Sequence, residues 1–366
     1  MIPVLKPTAD ERTKKELLEV IDSGWWGQGA KTAEFEKEFA KYTGFKYAIA
    51  LNSGTAALDL ALKVYDIKGG ELITTPMTFV ADAIVGEWNG MDVTFADIDG
   101  NSLCIDPKAV RITEDTKAII AVNSHGRLAD IEGLRKKFKG LIIEDCAHCG
   151  GMTKKDGIGK GDIQIWSFQA VKTIPAGDGG MITTDSKKIA TKIRNMTWLG
   201  VEKSTYLRVS KKKYTWDYDI VQGGTKSYMN DINAVLALGN LRRISEILKK
   251  RNLIQSIYNL EFKNLPVRIP AYSKTVQYYT LRVSDRDFIS ERLAENDIAT
   301  SVHFKPLSEM TYWKKAVKNP LPVTDRVWKE LLSLPCHDAL SAEEQKHIVK
   351  TFKNALLASS NNPAGW

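Results

Sequence analysis

The chain has 366 residues, 43% of them hydrophobic and 26% charged, with 12 Pro and 26 Gly; this composition suits a globular protein long enough for two domains and excludes a disordered, fibrous or repeat protein. No apolar stretch approaches the ~20 residues needed to span a bilayer, and the N-terminal MIPVLKPTADERTKKELLEVI lacks a signal peptide's apolar run, so a cytoplasmic protein without membrane association is expected. The net charge of +8 comes from lysines spread along the chain, with no helix-turn-helix, zinc-finger or RNA-binding signature; nucleic-acid binding is therefore not expected, and an anionic metabolite fits the sign.

The first half alternates helical and strand patterns. Residues 11–22 read as a helix and Thr32–Tyr42 as a second, followed by the short strand Tyr47–Leu51. SGTAALDLALKVY has a small polar start and apolar residues at helical spacing, so a helix begins near Ser53. Glu71–Thr75 reads as a strand stopped by Pro76, and 78–89 as a helix. Asp92–Ala96, Ala118–Val122, Leu141–Glu144, Ile163–Ser167 and Met181–Thr184 are short apolar strands of the buried kind. A helix follows Asp185 to about Trp198, 200–228 is less regular, and Asp231–Lys250 reads as one long helix leading out of the large domain. Beyond it the rhythm changes: strand-like Tyr278–Val283, a helix over 286–296, strand-like 299–304, LSLPCH, and a last helix over 341–355 before a loose SSNNPAGW tail. The expected organisation is a large α/β domain over 1–244 and a smaller α+β domain over 245–366.

Cys104, Cys146, Cys149 and Cys336 offer no disulfide framework. Cys146 and Cys149 form a CxxC, but no second ligand pair stands at a comparable spacing. Neither a zinc site nor any other metal is therefore expected, and the thiols read as reduced.

Three pieces of the first domain carry chemistry. LIIED places Asp145 at the C-terminal end of a strand, where ligands of open α/β sheets collect, and a carboxylate there can pair with a protonated pyridine nitrogen. Lys172, in SFQAVKTIPAGDGG, lies on the turn between two expected strands; a lysine so placed can form an imine and then act as a general base. Ser53-Gly54-Thr55-Ala56 opens a helix, whose free N–H groups and the Thr55 hydroxyl can hold a phosphate. Each piece also fits a plainer role: a solvated lysine, a loop-capping carboxylate, an ordinary N-cap. No GxxxxGK[ST], GxSxG, HExxH or GxGxxG competes.

The wording of longer segments goes further. WWGQGAKTAEFEKEFA (25–40), LNSGTAALDLAL (51–62), ITTPMTFVADA (73–83), VNSHGRLAD (122–130), IIEDCAHCGG (142–151), GDIQIWSFQAVKTIPAGDGGMITT (161–184), MNDINAVLALGNLRR (229–243), VHFKPL and LSLPCH together resemble the DegT/DnrJ/EryC1/StrS family of nucleotide-sugar aminotransferases. The resemblance implies an α/β type I (aspartate aminotransferase-like) pyridoxal-phosphate fold, with a large α/β domain and a smaller C-terminal α+β domain. By residue, it implies Lys172 as the Schiff-base lysine, Asp145 as partner of the pyridine nitrogen, His148 near the ring's 3′-oxygen and Phe79 stacked on the ring. Gly54, Thr55, Ala56 and Ser167 would hold the phosphate. For Phe79 the plainer role is a core phenylalanine, and for His148 a polar residue closing the strand-end loop.

The sequence departs from the family in three places. Asp178 stands where Glu is usual, and VNSHG, carrying His125, replaces the commoner VHLYG. In GGTKSYMND, family members commonly place Asn or Arg to reach the neighbouring subunit's cofactor; here Lys226, Ser227, Tyr228 and Asn230 offer donors. The implied reaction is transamination by pyridoxal 5′-phosphate, passing through pyridoxamine 5′-phosphate, from L-glutamate to a nucleotide-linked keto-deoxysugar. The aminosugar would serve polysaccharide, lipopolysaccharide or related biosynthesis, and the working unit would be a homodimer, with the aromatic-rich segment 214–230 as an interface arm. The alternatives are a pyridoxamine-phosphate-dependent sugar dehydratase, in which histidine replaces the lysine, and an inactive regulatory relative; Lys172 speaks against the first, the intact constellation against the second.

Overall fold

The strands of the large domain are short because each is an apolar run cut off by a turn residue or a polar stop, and they assemble as such runs must, between two layers of helix. The computed structural model describes residues 1–202 and 217–360. Seven strands form one sheet: β1 (Tyr47–Leu51), β2 (Glu71–Thr74), β3 (Asp92–Phe95), β4 (Thr116–Val122), β5 (Leu141–Asp145), β6 (Ile163–Ser167) and β7 (Gly180–Thr184), in the order β1-β7-β6-β5-β4-β2-β3. Only β7 runs against its neighbours.

Side-chain alternation sends successive residues to opposite faces. On β6, Ile163 and Ile165 join the core beneath α3 (Gly54–Val64) and α6 (Lys187–Met196), while Trp166 joins the opposite core with Phe35 and Phe39 of α2 (Ala30–Thr43). Ile49 and Ala50 on β1 divide the same way, as do Ile182 and Met181 on β7. Further helices are α1 (Glu11–Asp22), α4 (Ala81–Trp88) and α5 (Ile131–Lys137).

The long helix expected over Asp231–Lys250 is two helices, α7 (Asp231–Arg242) and α8 (Ile244–Phe262), which break at Arg243 with φ −94° and ψ 4°. The core that the pattern serves changes farther on, inside α8: Ala234, Ala237 and Leu238 of α7 and Ile244 and Leu248 of α8 pack in the large domain, and Ile254, Tyr258 and Phe262 in the small one. Periodicity records neither the break nor the change of core. The small domain pairs β8 (Tyr279–Arg282) with β9 (Leu331–Leu334) and packs α9 (Arg286–Ala294) and α11 (Ala342–Ser360) around them. Residues 299–304 form no strand and make only the single bridge Ser301 to Ser333. Helix α10 (Pro322–Glu330), with proline in its first turn, went unread in the sequence. The N-terminus joins the small domain, for Ile2 bridges Ile298 and the Cys336 amide donates to the Val4 carbonyl. Part of the irregular stretch expected over 200–228, and the end of the tail, lie outside the described residues. Among those residues no helix is long and apolar enough to cross a membrane.

Candidate active site

The C-terminal ends of β1, β5 and β6 share one edge of the sheet, and the residues singled out above gather there. Ser53 caps α3, its Oγ accepting from the Ala56 amide at 3.1 Å. The first amides of a helix have no partner inside it, so this start presents free donors. It is pressed against Ser167 at the end of β6: a Cβ on Gly54 would lie 3.0 Å from the Ser167 Cβ. A Cβ on Gly180 would meet the Ser53 carbonyl oxygen at 2.2 Å, which is why β7 can begin so close to the helix start only with glycine. Gly54, Thr55, Ala56 and Ser167 thus form one small cradle, with the Gly54 and Thr55 amides and the Thr55 and Ser167 hydroxyls as its donors while the Ala56 amide is held by Ser53.

Asp145 ends β5. Its main chain continues the ladder by accepting from the Asn123 amide, and its Oδ1 accepts from the Ala147 amide at 2.7 Å. The carboxyl is 5% exposed, so capping the turn and presenting a buried carboxyl to the sheet edge are one arrangement. Burial raises its pKa, against the Ala147 N–H and the nearby Lys172 ammonium.

Lys172 sits in the β6–β7 loop. The loop is closed on itself by Phe168 N–H to the Gly179 carbonyl, Ala170 N–H to Gly177 and Lys172 N–H to Gln169. It is fastened to the small domain by Gln277, whose Nε2 donates to the Val171 carbonyl at 2.7 Å and whose Oε1 accepts from Thr173 at 2.9 Å. Burial pushes the Lys172 ammonium down to about 8, although Asp145, Asp82 and Cys149 pull it up. An amine so lowered has a far larger neutral, nucleophilic fraction near physiological pH than an ordinary lysine.

Phe79 is 60% exposed, while Met77, Thr78 and Ala81 around it are buried. It is not the core residue that its plainer reading suggests, and its ring is available to a flat ligand. His148 is buried and stacked on His125, with ring centroids 5.5 Å apart and planes at 6°. Its Nδ1 accepts from the His125 amide at 3.3 Å, which leaves any proton of the neutral ring on Nε2. Burial depresses both imidazoles well below the usual histidine range.

Two groups of residues were not legible as part of this site. The first is Asp82, in the opening turn of α4, buried at 1% exposure and in hydrogen-bond contact with the Asp145 carboxyl. A carboxyl inside the apolar run FVADAIV was the signal available. The second is a wall of rings brought in by the small domain. Phe304 stacks near His148 at 5.9 Å, Tyr278 meets it edge-on at 5.4 Å, and His303 lies flat on Tyr278 at 3.7 Å. His303 shares a 2.9 Å hydrogen bond with Ser333 Oγ, and burial lowers its pKa to about 4. Only the segment VHFKPL hinted at it.

Of the donors expected to serve a partner, Asn230 caps α7 through Asn233 N–H at 2.8 Å. Ser227 is buried, its Oγ 2.9 Å from Thr225 Oγ1, with its carbonyl accepting from Asn52 N–H beside the α3 start. Lys226 stands over the Trp198 ring at 5.4 Å, and Tyr228 meets that ring edge-on at 4.9 Å. Asp178 accepts from the Gly179 amide within the turn. Residues 214–216 of the expected arm lie outside the described residues. All four cysteines are buried thiols, and among the described residues no cluster of three or more His, Cys, Asp or Glu is disposed to hold a metal.

Pyridoxal phosphate fits this donor set. A lowered amine suits an aldehyde, a buried carboxyl suits a ring nitrogen, an exposed phenyl face suits a flat ring, and a helix start with flanking hydroxyls suits a phosphate.

Residues 7–353 match the sequence model of the DegT/DnrJ/EryC1/StrS aminotransferase family, and the chain belongs to that family. It is 33% identical, over 97% of each chain, to the spore coat polysaccharide biosynthesis protein SpsC of Bacillus subtilis. It is 30% identical, over 90% of each, to a UDP-4-amino-4,6-dideoxy-N-acetyl-beta-L-altrosamine transaminase of Campylobacter jejuni. Spr1654 of Streptococcus pneumoniae, solved in a PMP form, superposes with a TM-score of 0.89 at 28% identity, covering 98% of this chain and 100% of that one; it is also solved in a PLP form. The fold is that of the type I pyridoxal-phosphate-dependent aminotransferases, with a large α/β domain and a smaller C-terminal domain.

Proposed function

We propose that this family member moves an amino group from L-glutamate to the keto carbon of a nucleotide-linked deoxysugar, so that a nucleotide-linked aminosugar leaves the site for polysaccharide or related glycan synthesis. The observation that carries the reading is a lysine amine lowered to about 8 beside a buried carboxyl at the sheet edge. Relatives whose names specify sugar amination or polysaccharide synthesis support the substrate class. Pyridoxal phosphate, when bound, supplies an electron sink that allows a proton to leave a carbon next to nitrogen.

The chain's residues do the rest. Lys172 would hold the cofactor through Nζ, and its free amine could carry a proton on that same atom. Asp145, as the anion, would accept the ring nitrogen's N–H and keep it charged, an interaction worth most where charge develops in the transition state. Phe79 would cover one ring face and exclude water, His148 would donate through Nε2 toward the ring's oxygen, and Gly54, Thr55, Ala56 and Ser167 would hold the phosphate. The net charge of +8 suits a diphosphate-bearing substrate.

The working unit is a homodimer. Tyr218, Ile220 and Val221, in the segment leading to Lys226, are each at least half exposed, an apolar surface that suits cover by a second protomer. The deciding experiment incubates the purified protein with pyridoxal phosphate, L-glutamate and a panel of keto-sugar nucleotides, read by mass spectrometry. Amination of at least one member, with release of 2-oxoglutarate, is expected. Conversion of none, or loss of water from the sugar in place of amination, would overturn the reading.

A further inference from the structure

Asp82 has an arrangement that a structural carboxylate does not need. Its Oδ2 accepts from Thr78 Oγ1 at 2.5 Å. Its Oδ1 is buried and meets no conventional donor among the described residues, while the carboxyl lies in hydrogen-bond contact with Asp145. Two ionised carboxylates at that range, in a site of low dielectric, repel far more strongly than a single donor repays. The pair must therefore hold a proton between them. Lys172 acts on both carboxyls, but a single ammonium, itself lowered to about 8 by burial, cannot balance two buried carboxylates.

The surroundings decide which partner keeps the proton. Asp145 accepts from a main-chain N–H at 2.7 Å, which favours its anion whatever the pH. Asp82 is the more deeply buried, and its one other donor, the Thr78 hydroxyl, serves a carbonyl oxygen as well as an anionic one. The start of α4 favours an anion at Asp82, but a helix end stabilises a charge by less than leaving that charge buried and unshared costs.

We propose that Asp82 is a positioning residue for the reaction: a neutral carboxylic acid whose O–H donates to Asp145, fixing that carboxyl as the anion that faces the cofactor's ring nitrogen. The inference rests on the reading of the site given above. Asp145 then carries two donors from its own chain, the Ala147 N–H and the Asp82 O–H, and turns its remaining acceptor capacity to the ring. Its orientation is set before the cofactor arrives, and the pair never exposes two negative charges to one ring.

The test has two arms. Infrared spectra of the cofactor-free protein near neutral pH should contain the C=O band of a protonated carboxyl, and Asp82→Asn should remove it. Titration with pyridoxal phosphate should show Asp82→Asn, whose amide N–H still donates to Asp145, binding within about twofold of the unaltered protein. Asp82→Ala should bind about tenfold or more weakly, as befits a lost hydrogen bond to a charged group. A protonated-carboxyl band that is absent from the unaltered protein or undiminished in Asp82→Asn overturns the proposal, as does equal weakening in the Asn and Ala variants. Should Asp82→Asn not fold, Thr78→Val supplies the same evidence: the band must persist but shift in frequency, and an unmoved band overturns the assignment. Failure of the unaltered protein to bind pyridoxal phosphate would instead sink the cofactor reading, and the infrared arm would still decide where the proton lies.

Discussion

The edge of the large sheet and the ring wall from the small domain face the same space but are built by different rules. At the sheet edge, each side chain is placed by its own strand end: Asp145 closes β5, Ser167 closes β6, and Ser53 caps the helix that follows β1. The wall is assembled from distant segments, His125 and His148 from two loops of the large domain against Tyr278, His303 and Phe304 from the small one. A site whose chemistry lies on rigid strand ends can keep that chemistry while the facing wall varies to suit other substrates. Damage to the edge should therefore destroy the reaction itself, and damage to the wall should alter what is accepted.

The most severe test of that division is Lys172→Ala, expected to lower turnover by at least about a thousandfold, since the proposed mechanism makes one residue both covalent anchor and proton carrier. Borohydride reduction of the unaltered protein with pyridoxal phosphate, followed by peptide mapping, should find the pyridoxyl group on Lys172. A label on any other lysine would remove the edge from the mechanism. Next in size is Asp145→Asn. It should retain the cofactor but lose about 10²-fold in kcat, because a positioned charge is worth most in the transition state; a loss below tenfold would show that the carboxyl only caps its turn through Ala147.

How much of this was readable in the sequence follows from the same division. The strand ends announced themselves: an apolar run that stops at Asp145, another that stops at Ser167, and a small polar residue at Ser53 before an Ala-rich helix all obey local rules. Family wording then joined them to Lys172, whose loop has no pattern of its own. Asp82 stayed hidden because a lone carboxyl in FVADAIV looks like a helix residue facing water, and only burial at 1% exposure reveals a partner. The break at Arg243 was invisible for a related reason, since the apolar period continues across it and residues on both sides pack on the large domain's core. The wall needed the fold to bring residues 125 and 148 against 278 and 303–304, and no local spacing encodes that.

A wall variant gives the contrast its direct measurement. Tyr278→Ala removes a ring that packs edge-on to His148 and flat against His303. It should raise the KM for the sugar nucleotide about tenfold, the size of a lost aromatic contact plus local loosening, while pyridoxal phosphate binds within about twofold of normal. If cofactor affinity falls as far as KM rises, the wall belongs to the cofactor site and the division fails.

The smallest effect lies in the pH dependence of cofactor attachment, and it is also the most discriminating. Only the neutral amine of Lys172 can attack an aldehyde, so the attachment rate follows the neutral fraction. An ordinary lysine, at 10.5, is almost wholly protonated at pH 8, and its neutral fraction would rise by more than about fiftyfold between pH 8 and pH 10. Burial brings Lys172 down to about 8. A lowered pKa moves the half-neutral point to lower pH, so about half the amine is already neutral at pH 8 and the same interval adds only about twofold. Stopped-flow mixing of cofactor-free protein with pyridoxal phosphate, followed by absorbance across that range, reads the difference directly. A shallow rise that levels above pH 8 means that burial at the sheet edge has activated the lysine before any substrate arrives. A rise that stays steep to pH 10 means that Asp145 and Asp82 hold Lys172 as an ordinary ammonium, and the edge must then owe its reactivity to the bound cofactor and not to its own packing.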